Sequence, residues 1–309
     1  MTTRLYTSEI FLEHATPPGH PERAARMQAI ATALAAPEFA ALDRVSAPKA
    51  DESAVLLVHP KSHLDDIKRA SPTHGIARID SDTVLSPHSF DVALHGVGAA
   101  MAAVDDVFSG AATNAFICSR PPGHHAEKTR AMGFCLFANA SIAARYAQQK
   151  HGAERVAIVD WDVHHGNGTQ NVFWDDPSVL FCSTHQMPFF PYSGEKNETG
   201  QNNNIVNAPL FENDGSDEFR DAFATRILPR IDAFKPDLIL ISAGFDAHYR
   251  DPLGGINLTE DDFDWATGQL MQRADKYCKS RLVSLLEGGY DLQGLSGSVA
   301  AHVARLMKG

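Results

Sequence analysis

Short runs of apolar, often β-branched residues recur along the chain and alternate with longer stretches of mixed polarity. The apolar runs occupy residues 114–118, 156–159, 179–182, 238–241 and 282–286. Runs that are apolar on both faces are typical of central strands in a parallel sheet that is covered by helices. The longer stretches, which we predict to be helices, include residues 90–108, 136–150, 216–234 and 259–279. This alternation predicts an α/β fold with a single open, mostly parallel β-sheet and helices on both faces.

The length of 309 residues suits either one large α/β domain or two average domains. We favour one domain, residues 1–309, because it needs no linker and because the chain contains no internal repeat. Hydrophobic residues make up 44% of the chain and charged residues 21%. These values leave enough apolar material for a substantial core.

The first residues lack the basic and apolar segments of a secretory signal, and no run approaches the roughly 20 apolar residues of a membrane helix. We therefore expect a soluble, cytoplasmic protein without a membrane partner. The formal net charge of -11 argues against a nucleic-acid partner and mildly favours a cationic substrate. Scattered cysteines without close pairs predict reduced thiols rather than a thiolate metal site. They are Cys118, Cys135, Cys182 and Cys278.

Four of the apolar runs lead directly into segments that are rich in Gly, His, Asp and Tyr. These segments are residues 119–125, 160–168, 242–248 and 287–291. Open α/β sheets bind ligands at the carboxyl ends of their strands. We therefore expect the four segments to meet in one site.

A candidate metal site begins with Asp162 and His164, which lie two residues apart just past a predicted strand. In extended backbone both side chains project to the same side and can share one cation. Asp246, from another strand end, would complete an Asp/His/Asp set with an open position, which is the form of a catalytic zinc site. Such an oxygen-rich set would also accept iron(II) or cobalt(II). The alternative is that Asp162 and His164 merely cap the following helix.

His124 and His125 follow a Pro-Pro-Gly segment, whose stiff and then permissive backbone could hold two imidazoles at the floor of a cleft. This position favours general acid/base work, although adjacent loop histidines are often exposed and without function. A histidine used in this way needs an orienting partner. Asp160 and Asn167, which flank the metal motif, are the candidates.

Three aromatic residues are further candidates. Tyr290 follows two glycines and could donate a hydrogen bond into the site, or it could be an ordinary core tyrosine. Phe134 and Phe190 could be core residues, or they could form the walls of a narrow apolar channel.

Five motifs, RPPGHHA, GFCLFANA, VDWDVHHGNGTQ, SAGFDAHYRDPLGG and LEGGYDL, occur in this order along the chain. Together they resemble the histone deacetylase family, within the arginase/deacetylase fold, from about His14 to Leu306. The last two motifs and Asn167 are most similar to the class II and bacterial histone-deacetylase-like amidohydrolase branch. The resemblance implies a metal-dependent deacetylase that hydrolyses the acetyl amide on a lysine-like amine.

The resemblance also implies roles for the residues. Asp162, His164 and Asp246 would bind one zinc ion, with a water molecule at the open position. His125 would act as general base toward that water and then as general acid toward the leaving amine. His124 would be an electrostatic partner, oriented by Asp160, and Asn167 would support His125. Tyr290 would donate a hydrogen bond to the developing oxyanion. The acyl-lysine tunnel would be lined by Gly133, Phe134 and Phe190.

Three further assignments come from the same resemblance. A potassium ion would be bound mainly by backbone carbonyls, which here belong to Asp160, Asp162, His164, Ser183 and Thr184. Arg23 resembles the arginine that lies behind the active site. Asp82 lies near the rim residue that grips the backbone of the substrate.

The sequence departs from the class I branch at Asn167, where that branch has aspartate, so His125 would have a neutral partner. We also expect no long tail that recruits chromatin, so a non-histone target is at least as well supported as a histone. Oligomeric state stays open.

Three alternatives remain. An acetylpolyamine amidohydrolase would use the same site on a small acetylated amine, although no obvious extra segment narrows the channel. A ureohydrolase would need a second metal ion and more carboxylates after His164 than the sequence has. A catalytically silent acetyl-lysine binding protein would not need the full set of catalytic residues.

Overall fold

One large parallel sheet dominates the computed structural model, which describes residues 2–308. The strands in chain order are β1 (Thr3–Thr7), β2 (Asp43–Ser46), β3 (Ala77–Arg78), β4 (Val84–Leu85), β5 (Asn114–Ile117), β6 (Val156–Asp160), β7 (Val179–Gln186), β8 (Ile205–Leu210), β9 (Leu238–Ala243) and β10 (Leu282–Leu286). Eight of them form the large sheet in the order β2-β1-β5-β10-β9-β6-β7-β8, and every neighbouring pair is parallel. β3 and β4 form a separate antiparallel pair.

Helices cover both faces of the large sheet. They are α1 (Ala25–Ala33), α2 (Lys61–Ala70), α3 (Ser89–Ser109), α4 (Asn139–His151), α5 (Asn167–Phe173), α6 (Ser216–Ala222), α7 (Leu228–Phe234), α8 (Glu260–Tyr277) and α9 (Leu292–Lys308). Three short 3-10 helices (Glu9–Leu12, Pro37–Phe39 and Glu52–Leu57) and one π-helical turn (Phe223–Ile227) complete the regular structure. α1 and α8 pack against α9, while α3 packs against α4. The predicted fold class is confirmed.

The five predicted strands form the middle of the sheet as β5, β6, β7, β9 and β10. All of their residues are buried, as expected for strands that helices cover on both sides. The sequence analysis missed β1, β2 and β8, which lie toward the two edges. β2 alternates between half-buried and exposed residues, so its apolar signal is weak.

The predicted helices are present with shifted ends. α4 begins at Asn139 rather than at residue 136, and α8 spans Glu260–Tyr277. The stretch 216–234 is helical throughout, but the π-helical turn Phe223–Ile227 separates α6 from α7. The helices α1, α2, α5 and α9 were not predicted from the sequence.

The strand order brings the four motif-bearing strand ends together. β5, β10, β9 and β6 are consecutive neighbours in the sheet. Their register places Ile117, Leu285, Ser242 and Asp160 in one row across the four strands. The segments that follow these strands therefore leave the sheet at the same edge, where ligands bind in folds of this kind.

α3 is the one helix among residues 2–308 that is long and apolar enough to cross a bilayer by length and composition. Its most apolar window has a mean hydropathy of 1.2, and 61% of that window is buried inside the fold. This burial is typical of a core helix. The four cysteines are free and buried.

Gly98 lies inside α3, at the point where this helix crosses residues 48–50, which precede the 3-10 helix Glu52–Leu57. A Cβ atom at this position would lie 2.1 Å from the carbonyl oxygen of Pro48 and 2.7 Å from the nitrogen of Ala50. We expect Gly98→Ala to lower the free energy of unfolding by roughly 1–3 kcal/mol, because the two backbones must separate. Urea unfolding followed by circular dichroism measures this change.

Gly268→Ala in α8 is the matched control. Its added Cβ would lie 3.5 Å from the Arg305 side chain, which is ordinary contact. Alanine is favoured over glycine inside a helix by up to about 1 kcal/mol, so this variant should be as stable as the wild type or more stable. Equal stability of the two variants would contradict the close crossing at Gly98.

Candidate active site and metal centre

Asp162, His164 and Asp246 converge at the edge of the sheet. Asp162 and His164 lie in the segment after β6, and Asp246 lies in the segment after β9. One potential ligand atom of each residue lies within 4.8 Å of the others. Both carboxylates are buried, and His164 is half-buried. Asp162 and His164 do not cap α5. The N-cap residue of that helix is Gly166, and no side chain makes a capping hydrogen bond there.

Three of the four carboxylate oxygens in this cluster accept backbone hydrogen bonds. Asp162 accepts from the nitrogens of His164 (2.9 Å) and Gly288 (2.8 Å), and Asp246 Oδ1 accepts from Val163 N (2.8 Å). Asp246 Oδ2 is buried without a hydrogen bond. His164 Nδ1 lies 3.2 Å from it, but this nitrogen is hydrogen-bonded to Asp162 Oδ1 at 3.1 Å. A divalent cation would satisfy the remaining oxygen, so the donor set fits a metal ion.

Two glycines make the approach of the carboxylates possible. A Cβ atom at Gly244 would lie 2.1 Å from Asp162 Oδ2, and one at Gly288 would lie 2.1 Å from Asp246 Oδ2. Any side chain at either position would displace a carboxylate. The glycines of the SAGFD and LEGGY motifs therefore have a steric function at this site.

The charges in the cluster are strongly coupled. Burial opposes ionisation of Asp162, but the positive charges of His124 and His164 hold the pKa of Asp162 well below its usual range. Burial would lower the pKa of His164, yet the adjacent Asp162 and Asp246 carboxylates raise it to about 10. The two carboxylates that attract a proton to this imidazole would equally attract a divalent cation.

The histidine pair is buried beside this cluster, so the interpretation as exposed loop residues is wrong. His124 and His125 are 3% and 4% exposed, and their ring centres are 3.9 Å apart. His124 Nδ1 lies 3.0 Å from Asp160 Oδ2, whereas His125 Nδ1 lies 2.7 Å from Asn167 Oδ1. Each histidine thus has the orienting partner that the sequence analysis named.

The two imidazoles differ in charge because their surroundings differ. Burial would lower the pKa of His124, but the Asp162 and Asp160 carboxylates raise it well above its ordinary value. Burial and the positive charges of His124 and His164 lower the pKa of His125 well below its ordinary value. His124 is therefore charged and His125 is neutral near pH 7, which is the form that a general base needs.

Tyr290 follows β10 and faces the same space. The residue is 7% exposed, and its ring meets that of Phe134 edge-on with centres 5.9 Å apart. Burial and the nearby Asp246 raise the pKa of Tyr290 well above its ordinary value, so the phenol keeps its proton. A protonated hydroxyl on the cavity wall can donate a hydrogen bond to a bound oxygen.

A cavity of about 300 Å³ leads from the surface to these residues. The four residues predicted for the substrate channel all line it, and they are Asp82, Gly133, Phe134 and Phe190. Its wall also contains residues that the sequence analysis missed, namely Phe189, Pro252 and Leu253. A Cβ atom on Gly133 would lie 2.4 Å from the His125 ring, so this position must be glycine for the ring to reach the cavity.

The prediction for Arg23 is wrong. Arg23 is exposed, whereas Arg26 is fully buried with its guanidinium carbon 5.0 Å from the centre of the Tyr290 ring. Arg26 Nε donates to the carbonyl oxygen of Gly289 at 2.7 Å. The HPER motif does not indicate which arginine faces inward, because that depends on where α1 begins and which of its faces is buried.

Two buried carboxylates that the sequence analysis did not single out hold the backbone of the site. Glu287 accepts hydrogen bonds from the nitrogens of Gly123 (2.6 Å) and His124 (3.1 Å). Asp251 accepts from the nitrogen of Tyr290 at 2.6 Å. Burial raises the pKa of both Glu287 and Asp251 to about 7. Their positions inside the glycine-rich motifs are the only signal that could have indicated this role.

Two of the residues proposed for potassium, Asp162 and His164, belong to the metal cluster, and the other three lie on the neighbouring strands β6 and β7. Ser183 and Thr184 are buried in β7, and Asp160 is paired with Ser183 in the sheet register. The Ser183 hydroxyl lies 2.9 Å from His185 Nδ1. Backbone oxygens at this place remain candidate ligands for an alkali cation.

Comparison with known proteins agrees with this geometry. A family model described as "Histone deacetylase domain" matches residues 20–306. The chain belongs to the histone deacetylase family. The family and the arginase/deacetylase fold predicted from the sequence are therefore confirmed.

Relatives in bacteria and archaea carry corresponding names. The histone deacetylase-like amidohydrolase of Pseudomonas aeruginosa is 41% identical over 250 residues, which cover 79% of this chain and 65% of the relative. The probable deacetylase of Archaeoglobus fulgidus is 37% identical over 300 residues, which cover 95% of this chain and 83% of the relative. The crystal structure of the HDA15 HD domain matches with a TM-score of 0.94 at 36% identity, over 99% of this chain and 88% of that chain. These similarities support hydrolase activity of the deacetylase and amidohydrolase type.

We expect the protein, after reconstitution with zinc, to retain about one equivalent of metal per chain, and Gly288→Ala to lose most of it. The added methyl group would push the Asp246 carboxylate out of the cluster. Elemental analysis after removal of free metal measures the stoichiometry. His164→Ala should show the same loss because it removes a ligand.

Gly268→Ala, which lies far from the cluster, is the control and should bind metal like the wild type. Circular dichroism checks that each variant is folded. Wild-type retention below about half an equivalent, or full retention in His164→Ala, would contradict the assigned ligands.

Proposed function

We propose that this protein is a zinc-dependent amidohydrolase that removes acetyl or another short acyl group from a lysine-like amine. One observation carries the proposal. A buried Asp/His/Asp cluster lies beside an apolar cavity whose wall includes His125 and Tyr290, and the His124 ring packs against that of His125 with centres 3.9 Å apart. This combination supplies every group that hydrolysis of an amide needs.

The zinc ion, when bound by Asp162, His164 and Asp246, would polarise the acyl carbonyl and increase the acidity of water. Neutral His125 removes a proton from the attacking water through Nε2, since Nδ1 is occupied by Asn167. The same imidazole then returns the proton to the leaving amine.

Two protonated side chains beside the reacting atoms, those of His124 and Tyr290, stabilise the negative charge that develops in the transition state. His124 remains protonated beside Asp160 and stabilises negative charge in the transition state. Tyr290 donates its hydroxyl proton in a hydrogen bond to the carbonyl oxygen as that oxygen becomes negative.

The cavity wall fits the aliphatic part of an acylated lysine. Phe134, Phe189 and Phe190 present aromatic surface along its length, and the methylene groups of a lysine side chain bury well against such walls. Asp82 at the rim accepts hydrogen bonds from the backbone of a peptide substrate.

We extend the proposal to the rest of the chain. We propose that residues 1–309 are one catalytic domain, which is supported by the presence of β1 and β10, from opposite ends of the sequence, in the same sheet. A potassium ion bound by carbonyl oxygens of Asp160, Asp162, His164, Ser183 and Thr184 is part of the proposal. The cytoplasmic location stays a prediction.

A substrate panel on the zinc-reconstituted protein tests the function. Acetyl-lysine peptides should be hydrolysed, and acetylputrescine and acetylspermidine are the competing substrates, since Asp82 could pair with a second ammonium group. Faster hydrolysis of the polyamines per unit concentration would assign an acetylpolyamine amidohydrolase instead. Absence of turnover on every acyl amine by metal-loaded protein would leave a binding protein and contradict the proposal.

We expect Tyr290→Phe to lower kcat and kcat/KM together, by roughly 100- to 1000-fold, with KM little changed. The substitution keeps the ring and removes only the hydroxyl, which acts mainly in the transition state. Steady-state kinetics on an acetyl-lysine peptide, with metal content determined in parallel, measures the effect.

Tyr146→Phe is the matched control, because the Tyr146 hydroxyl donates to Asp105 far from the cavity. Its kcat should stay at the wild-type value. A Tyr290→Phe protein that holds zinc and keeps more than about a third of wild-type kcat would show that Tyr290 is a packing residue.

A further inference from the structure

The side-chain amide of Asn167 is held from both sides. Its Oδ1 accepts a hydrogen bond from His125 Nδ1 at 2.7 Å, and its Nδ2 donates to Glu127 Oε1 at 2.8 Å. The amide therefore bridges an imidazole and a carboxylate.

An asparagine by itself does not determine the proton position on a neighbouring histidine. Rotation of the amide by about 180° exchanges its oxygen and nitrogen with almost no change in shape. If Nδ2 faced His125, then Nδ1 would have to accept a hydrogen bond, and the imidazole proton would move to Nε2. The nitrogen that must act as a base would then carry a proton.

Glu127 opposes this rotation. In the rotated amide, the Asn167 oxygen would face the Glu127 carboxylate, and two acceptors at about 2.8 Å repel each other.

The backbone around Glu127 holds the carboxylate in place. Glu127 N donates to the carbonyl oxygen of Arg130 at 2.9 Å, which closes a tight turn. The next nitrogen, that of Lys128, donates to Asn171 Oδ1 at 3.1 Å and ties the turn to α5. Asn167 begins the same helix, so this hydrogen bond holds the turn against the helix that carries the amide.

We propose that Glu127 is a positioning residue whose carboxylate fixes the orientation of the Asn167 amide and thereby keeps the His125 proton on Nδ1. Glu127 does not contact the cavity that leads to the metal cluster, and it acts through Asn167. The inference rests on the proposed function, in which His125 Nε2 is the base.

The first test is a cycle of charge-exchanging variants. Asn167→Asp alone places a second carboxylate against Glu127. Repulsion between the two carboxylates should move the new side chain away from His125 Nδ1, so we expect kcat to fall about ten-fold with KM little changed. In the double variant Glu127→Gln with Asn167→Asp, the new amide donates to the new carboxylate, which still accepts from His125. We expect this double variant to recover most of the lost kcat.

Glu127→Ala removes the carboxylate and leaves the amide free to rotate, so its kcat should also fall about ten-fold at unchanged KM. In the Asn167→Asp background the same deletion should raise kcat, because it removes the repulsion and leaves a carboxylate that accepts from His125 Nδ1 in either orientation. Failure of the double variant to recover, together with wild-type kcat in Glu127→Ala, would overturn the proposal.

The second test does not depend on activity. Histidine labelled with ¹⁵N reports which ring nitrogen carries the proton, and the His125 signals are assigned by their loss in His125→Ala. We expect wild-type His125 to be protonated on Nδ1 and Glu127→Ala to show the proton partly or wholly on Nε2. An unchanged tautomer in Glu127→Ala would overturn the proposal.

Glu198→Gln is the matched control. The Glu198 carboxylate accepts a hydrogen bond from the side-chain amide of Gln170 at 2.5 Å. This is also a pair between a glutamate and an amide side chain of α5, but the amide does not contact His125. Its kcat and its His125 tautomer should match the wild type. If wild-type protein hydrolyses no acyl amine while Glu127→Ala still shifts the tautomer, the proposed function fails and the positioning role stands.

Discussion

Two carboxylates from neighbouring strand ends, Asp162 and Asp246, are buried side by side, and the surrounding chain is arranged to make this possible. Burial of a charged carboxylate is unfavourable by several kcal/mol unless hydrogen bonds or opposite charges compensate. The backbone nitrogens of Val163, His164 and Gly288 satisfy three of the four oxygens. The fourth oxygen has no donor. A cation is the remaining source of compensation, so the same constraint that shapes the loops also defines the metal centre.

A second layer of buried charge supports this edge of the sheet from behind. Arg120 binds both oxygens of Glu22 at 2.7 Å, and Arg26 lies 3.1 Å from the same carboxylate. Arg26 also donates to the carbonyl oxygens of Glu287 and Gly289, which lie on either side of Gly288 and just before Tyr290. Removing one partner from a buried ion pair typically costs about 3–5 kcal/mol, because the other charge is left uncompensated. The layer therefore ties Glu22 and Arg26, near the start of the chain, to the last motif.

Much of the fold could be predicted from the sequence, because the signals involved are local. Strands covered by helices on both faces are apolar throughout, so the five central strands stand out, whereas edge strands such as β2 do not. The motif residues Asp162, His164, Asp246 and Tyr290 follow these strands directly. Their convergence follows from the general rule that parallel strands end at one edge, and the strand order of the structure agrees with it.

By itself, then, the sequence determined the fold class, the family and the set of candidate chemical groups. Only the tertiary structure decided which buried partner each group has. It selected Arg26 rather than Arg23, and it brought Asp251 to the nitrogen of Tyr290 and Glu127 to the amide of Asn167. These contacts join segments that are up to 264 residues apart, as from Arg26 to Tyr290. No local pattern specifies such a partner, because burial and hydrogen-bond direction depend on how separate elements pack.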